Sequence, residues 1–325
     1  MDLSIVSTLY CSAPYLESFY QRVRDSATRL EHSFEIILVN DGSPDTSLEI
    51  ALRLQRQDAR IRIIDLSRNF GHHQAMMTGL MHARGEMVFL IDSDLEEDPE
   101  LLETFAEKFR ASGADVVYGV QEKRKGGLFE RLSGAIFFKA FNTLSSHPLP
   151  RNLITARLMT RKYVDALVRH QERETLIAGL WVLTGFDQVP VTVTKSSTRR
   201  STYSLRKRIN HFVNAITSFS SKPLVFIFYL GCIILLLSTV AAVDLIVRKL
   251  LFGTLLAGWA SLMVSIWLLG GLTIFCLGVI GIYLSKVFIE VKQRPYTVIK
   301  QIYEVGAAGT ELPREEFQTD RQVFR

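Results

Sequence analysis

The amino-acid sequence predicts an α/β fold with one mostly parallel sheet, followed by an amphipathic helix and two long apolar helices. Three observations predict it. Apolar runs of five to seven residues alternate with segments whose apolar residues recur at helical spacing, the pattern of strands joined by crossover helices. Polar residues follow several of these runs without a spacer, above all in Met87–Glu100, MVFLIDSDLEEDPE, where a strand-like run passes straight into Asp92, Ser93 and Asp94. Two later stretches are apolar beyond the needs of a soluble core: Leu224–Val247, interrupted only by Asp244, and Trp259–Ser285, which carries no charge.

Leu3–Leu9 reads as a buried strand, after which Leu16, Phe19, Tyr20, Val23, Ala27 and Leu30 share one helical face. Phe34–Val39 is the second strand; it ends in the loop Asn40, Asp41, Gly42, Ser43, Pro44, and Thr46 with Glu49 has capping-box spacing for the next helix. Ile61–Leu66 is the third strand, followed by SRNFGHHQ and a helix to about Arg84, stopped by Gly85. Met87–Ile91 is the fourth strand, Pro99–Ser112 a helix capped by Asp98, and Asp115–Val120 the fifth strand.

Sheets of this kind bind ligands beyond the carboxyl ends of their strands. Those ends carry Tyr10, then Asn40 and Asp41, then Arg68–Gln74, then Asp92 and Asp94. Two carboxylates one residue apart repel each other, so Asp92 and Asp94 either open a loop or meet a positive charge, most simply a divalent cation with oxygen ligands. There is no GxGxxG and no GxxxxGK[ST], so phosphate binding falls to a metal rather than to a glycine-rich backbone cradle. His72 and His73 are adjacent and point in different directions, which suits hydrogen bonding to a ligand better than metal ligation.

No basic region followed by a long apolar run opens the chain, so the first domain is expected in the cytosol. Basic residues stand before the first apolar run and after the second, with only Arg248 and Lys249 between, which predicts a two-helix transmembrane hairpin with both termini cytoplasmic, as in a bacterial inner membrane. Leu205, Ile209, Phe212, Val213, Ile216 and Phe219 face away from Arg206, Lys207 and Arg208, as in a helix lying in the membrane interface; a core-packing helix has the same spacing. Gly271, Gly278 and Ser285 repeat every seventh residue, a pattern for close packing within the hairpin or between subunits of a homo-oligomer. The net charge of +5 and pI near 9.1 come from the juxtamembrane clusters and suit a lipid bilayer, not nucleic acid. Cys11, Cys232 and Cys276 have neither paired nor metal-like spacing. The expected boundaries are 1–204 for the catalytic domain, 205–222 for the interfacial helix, 223–285 for the two spans and 286–325 for a cytosolic tail.

The order SIVSTLY, VNDGSPD, LSRNFGHHQA, FLIDSDLEEDPE, DVVYGV, an SxYSLRK-like segment and EVKQRP resembles the family 2 glycosyltransferases that glycosylate polyprenyl phosphate. The resemblance implies a Rossmann-like glycosyltransferase A fold, a nucleotide-diphosphate sugar donor with a UDP-sugar favoured, Mg2+ or Mn2+, and inversion at the anomeric carbon. It implies that Tyr10, Asp41, His72, Gln74 and Asp92 bind the nucleotide sugar and that Asp92 and Asp94 hold the metal and diphosphate. Thr8, Cys11 and Ser12 depart from the family's pattern, Asn40 stands where its first aspartate is usual, and Thr155 stands where an acceptor-side aspartate is usual. A hydroxyl is no general base at neutral pH, but a phosphate monoester is already an ionised nucleophile. Arg131, Lys195, Arg199, Arg200, Ser201 and Tyr203 are the expected acceptor-phosphate ligands, with EKRKGG as a basic flap hinged at Gly126 and Gly127 or simply a solvated loop. The implied activity is sugar transfer to polyprenyl phosphate; transfer to a hydroxyl of a lipid-linked glycan, or a catalytically silent scaffold that binds nucleotide sugars, stand beside it.

Overall fold

The computed structural model describes residues 1–30, 33–121, 152–170, 172, 177–193, 222–252 and 258–304. They fall into two compact units: one holds the described residues up to 193 together with 295–304, the other 222–252 and 258–294.

In the first unit, strands β1 (Leu3–Leu9), β2 (Phe34–Asn40), β3 (Ile61–Leu66) and β4 (Met87–Leu90) alternate with helices α1 (Leu16–Arg29), α2 (Ser47–Gln57) and α3 (His72–His82). Every residue of β1, β2 and β3 is buried. Both faces of the sheet are covered, so these strands are mostly apolar, and their polar residues, such as Ser4, Glu35, Arg62 and Asp65, are buried with them. Leu16, Phe19 and Val23 of α1 share one core with Leu3, Ile5, Leu9, Ile36 and Leu38, while α3 brings Gly79 against Val6 and Val39, the strand positions of opposite parity. Each fully buried Leu, Ile or Phe contributes roughly 1.5–3 kcal/mol, so this packing sets where the strand ends lie.

After α4 (Leu101–Ser112) and β5 (Val116–Gln121) come β6 (Leu153–Thr160), α5 (Arg161–Leu167), α6 (Ile177–Leu183), β7 (Gln188–Val193) and, from the far end of the chain, β8 (Ile299–Tyr303). The strand order is β7-β5-β6-β4-β1-β2-β3-β8. Four pairings are parallel; β6 runs antiparallel to both β4 and β5, and β8 antiparallel to β3. The sheet is therefore mixed. Strands β6, β7 and β8 are not apparent from local pattern: β6 (LITARLMT) carries Thr and Arg, and β8 (IKQIY) is short and half polar.

Two expected helix caps are not made. Thr46 makes no side-chain cap to α2; Asp45 Oδ1 instead accepts from Ser47 N at 3.1 Å. Helix α4 starts at Leu101, not Pro99, and the Asp98 carboxylate accepts from Arg22 Nη2 at 3.1 Å, a charged donor that outcompetes a local N–H.

In the second unit, helices α7 (Lys222–Phe252) and α8 (Trp259–Val291) cover both apolar runs. The expected pair of spans is corrected here. Among the described residues one helix, Ser265–Val291, 27 residues with a mean hydropathy of 2.1, is long and apolar enough to cross a membrane. Within α7 the apolar helical stretch among the described residues is Lys222–Ile234, short of the ~20 residues a bilayer core requires. The two-span fold and the localisation built on it, with both termini cytoplasmic, are overturned with it. A Cβ placed on Gly271, Gly278 or Gly281 would meet no described atom of the chain within 4 Å.

Gly85 has a different role from the helix stop expected of it. Helix α3 already ends at His82, and Gly85 N donates to Ser4 Oγ at 2.7 Å. A Cβ at Gly85 would lie 2.5 Å from Ser4 N, 2.7 Å from Leu3 C and 2.8 Å from Met87 O, all backbone atoms that cannot yield without moving β1. Gly85→Ala is expected to destabilise the first unit by about 1–3 kcal/mol, read as a lower midpoint in chemical denaturation of the full chain. An unchanged midpoint would show that the β1–β4 edge relaxes freely.

Candidate active site

The carboxyl ends of β1, β2, β3 and β4 lie side by side, and each must satisfy polar groups where the ladder stops. Asp41, 2% exposed, follows β2 directly and accepts from Phe70 N at 2.7 Å and Gly71 N at 3.1 Å. It thereby ties the loop after β2 to the one leading into α3. The two loops are close: a Cβ at Gly42, whose φ is +58°, would lie 2.5 Å from Asn69 N and 2.6 Å from Arg68 C. Burial raises the Asp41 pKa, and the two backbone donors and the charges of His72 and Arg68 offset only part of that rise.

His72, the first residue of α3, bridges two strand ends. Its Nδ1 is 3.0 Å from Thr8 Oγ1, and its Nε2 is 3.2 Å from Asp92 Oδ1. Thr155 Oγ1, from β6, donates to Asp92 Oδ2 at 2.8 Å. Thr8, His72, Asp92 and Thr155 thus form one connected set drawn from β1, α3, the end of β4 and β6. Burial pushes the His72 pKa down, but the hydrogen bond to Asp92 and the charges of Asp92, Asp41 and Asp94 more than offset it, leaving the imidazole above its ordinary value.

Two further carboxylates brace the edge. Glu97, 2% exposed, accepts from Thr155 N at 3.0 Å and Ala156 N at 2.8 Å, so the loop after β4 holds the backbone that presents Thr155. Arg157, fully buried, donates to Thr155 O at 3.1 Å and Ile154 O at 3.2 Å and stacks over Trp181; burial pushes its pKa down to about 9. On the other side Asp45 gathers Ala13 N at 3.1 Å, Ser43 Oγ at 2.6 Å and Ser47 Oγ at 2.5 Å, while Ser43 Oγ and Ser47 Oγ accept from Cys11 N and Ser12 N. Two non-glycine residues in the left-handed region, Cys11 at φ 54° and Leu95 at φ 58°, stand at this same edge, where backbone strain is typical of functional sites.

Residues 4–168 match the pattern described as Glycosyl transferase family 2. A glycosyltransferase of Mycobacterium tuberculosis (strain CDC 1551 / Oshkosh) is 55% identical over 324 residues, 100% of this chain and 93% of that protein. The chain belongs to glycosyltransferase family 2. It is also similar to the SfII prophage-derived bactoprenol glucosyl transferase of Shigella flexneri, 32% identical over 93% of this chain and 98% of that protein. The prophage bactoprenol glucosyl transferase homolog of Escherichia coli (strain K12) is 30% identical over 93% of this chain and 99% of that protein. The protein is accordingly a transferase enzyme.

Of the residues singled out in this glycosyltransferase, Tyr10, Asp41, His72, Asp92, Asp94 and Thr155 all stand at the carboxyl edge of the sheet or on the loops leaving it. Tyr10, which follows β1 directly, is 53% exposed. Gln74 is the third residue of α3, its Oε1 close to Gly71. Arg131, Lys195, Arg199, Arg200, Ser201 and Tyr203, the basic flap and residues 205–221 of the expected interfacial helix lie outside the described residues, and Lys222 is the first residue of α7. Glu97 and Asp45 were missed in the sequence because LEEDPE reads as a solvated acidic loop and SPDTS as an ordinary turn.

Among the described residues no group of three or more His, Cys, Asp and Glu side chains is placed to hold a metal ion. Asp92 already meets His72 and Thr155, and Asp94 Oδ1 accepts from Glu96 N at 3.0 Å. The donor set still suits a hard cation of the kind bound by one or two carboxylates together with substrate phosphates, which needs no all-protein cage.

Burial opposes the Asp45 charge, but Ser43, Ser47 and the backbone N–H groups of Ala13 and Ser47 more than offset it and hold its pKa down at about 2. A carboxylate with a depressed folded pKa contributes stability above its unfolded value near 3.8, and that contribution is lost as pH falls through about 2. Asp45→Asn is expected to lower stability by about 1–2 kcal/mol at pH 7, with the gap from the parent closing between roughly pH 4 and 2. Urea unfolding of both proteins across that range reads it; a gap independent of pH would mean that shape, not charge, matters at Asp45.

Proposed function

We propose that this enzyme transfers a sugar from a nucleotide-diphosphate donor, with a UDP-sugar favoured, to a polyprenyl phosphate with inversion at the anomeric carbon. The observation that carries the reading is the placement of Asp92. One oxygen faces His72 and the other accepts from Thr155, at the carboxyl edge where Asp41 and the exposed ring of Tyr10 also stand. The acceptor class is supported by the likeness, over nearly the full length of both chains, to proteins described as bactoprenol glucosyl transferases.

Tyr10 and the Asp41 loop bind the nucleoside, and Gln74 and His72 at the start of α3 bind the diphosphate side. His72, held toward its charged form by Asp92, Asp41 and Asp94, presents positive character where the leaving diphosphate gains negative charge. Asp92 and Asp94 would hold Mg2+ or Mn2+ together with the donor's diphosphate, and the ion, when bound, neutralises charge on the leaving group. An ionised phosphate oxygen of the acceptor forms the new bond to the anomeric carbon as the bond to the diphosphate breaks and its electron pair leaves with the diphosphate. No proton need be removed from such an acceptor. That accords with Thr155, whose hydroxyl is spent as a donor to Asp92 and takes up no proton. Arg131, Lys195, Arg199, Arg200, Ser201 and Tyr203 remain the residues proposed to hold the acceptor phosphate.

The direct test incubates the purified full chain, polyprenyl phosphate and Mn2+ with a panel of nucleotide sugars and looks for a charged glycolipid. Turnover of one donor is expected; turnover only with a sugar-hydroxyl acceptor would replace the phosphate reading. Asp92→Asn and Asp94→Asn are each expected to abolish transfer while leaving the unfolding midpoint near that of the parent. Near-normal turnover in both would place diphosphate binding elsewhere. Thr155→Ala is expected to lower turnover less than about tenfold, the loss of one hydrogen bond of ~1 kcal/mol, and a complete loss would argue for acid–base chemistry at that position.

A further inference from the structure

Strand β8 returns from the far end of the chain to cover the free edge of β3, and one of its residues is out of register. Ile299 pairs with Leu66 and Gln301 with Asp65, so Lys300 is the extra residue of a bulge. Bulges re-aim side chains and are frequent beside active sites. Here Lys300 Nζ lies 3.4 Å from Oδ2 of Asp65, a carboxylate 2% exposed near the carboxyl end of β3. The other oxygen, Asp65 Oδ1, accepts from Asn40 Nδ2 at 2.7 Å. Asn40 is the residue paired with Asp65 across β2 and β3, and its own Oδ1 accepts from Ser43 N at 3.3 Å. A line of contacts therefore runs from β8 through β3 to the Asn40–Ser43 turn, which carries Asp41 and Gly42.

The charges explain the departure at Asn40. An aspartate there would set two buried carboxylates face to face, whereas the amide donates to Asp65, and Lys300 balances the charge that remains. The amide's carbonyl is then turned to close the loop. We infer that Lys300 is a positioning residue for the donor site, acting through Asp65 and Asn40 to fix the turn that presents Asp41 to the nucleotide. The inference rests on the proposal that this turn binds the donor's nucleoside. Backbone and side-chain anchors hold β8 independently of Lys300: Ser67 N donates to Val298 O at 2.9 Å, Gln55 Nε2 to Tyr303 O at 2.7 Å, and Thr297 Oγ1 is 2.8 Å from Thr78 Oγ1. Loss of the Lys300 charge should consequently loosen the turn without releasing the strand.

The test compares the full-length parent, Lys300→Met and Lys300→Arg, the first removing the charge at similar length and the second keeping it. The lysine side chain is 65% exposed, so neither change threatens folding. Binding of UDP, GDP, CDP and TDP is measured with Mn2+ and no acceptor, alongside the apparent Michaelis constants for donor and for polyprenyl phosphate. Lys300→Met is expected to weaken binding of the preferred nucleotide about fivefold and to raise the donor constant in proportion. The constant for polyprenyl phosphate should stay unchanged, and Lys300→Arg should restore binding to within about twofold. A nucleotide affinity for Lys300→Met within about twofold of the parent overturns the inference alone, whatever happens to thermal stability. Failure of the parent to bind any of the four nucleotides would overturn the donor-site reading and this inference with it.

Discussion

A buried or half-buried carboxylate is costly unless donors surround it, and at the carboxyl edge of this sheet that requirement organises the site. Asp41 draws in the backbone ahead of α3; Asp92 draws in His72 and Thr155; Glu97 takes the two backbone N–H groups at Thr155 and Ala156; Asp45 gathers the loop after β1. Each acid binds an element other than its own. The loops at this edge are thereby held to one another as well as to the strands that bear them, and groups far apart in the chain are fixed before any ligand arrives.

Topology supplies the partners. A purely parallel arrangement of the first four strands would bring together only the loops that follow them. The antiparallel β6, inserted between β4 and β5, runs the other way and so presents its early residues, Ile154 to Arg157, at the edge where Asp92 emerges. Strand β8 does the same on the opposite side of the sheet, placing Lys300 beside Asp65. Both antiparallel strands thus deliver polar groups to the ligand edge.

The positions that depart from the family's pattern become intelligible in this setting. Asn40 and Thr155 each replace an expected acid, and each now donates a hydrogen bond to an acid on a neighbouring strand, Asp65 and Asp92 respectively. Removing one of two facing carboxylates lowers the local negative charge and supplies a donor to the survivor. For a phosphate acceptor, which needs no base, such an exchange leaves the chemistry intact.

Local pattern was enough to read the alternating strands and helices up to Val120, the run of polar residues at the strand ends and the position of Asp92 and Asp94 just beyond a buried strand. Continuous apolar runs and helical spacing report burial of a residue by its near neighbours, and that information is in the sequence itself. What it did not contain was any pairing across distance: Thr155 with Asp92, 63 positions apart, Glu97 under β6, Asp45 as the hub of two loops, or β8 closing the sheet from what looked like a tail. Hydropathy likewise promised two membrane spans where the described helices support one. Composition reports how apolar a stretch is, whereas the partner of each polar group and the direction of each strand are settled only when the folded chain decides which donor reaches which acid.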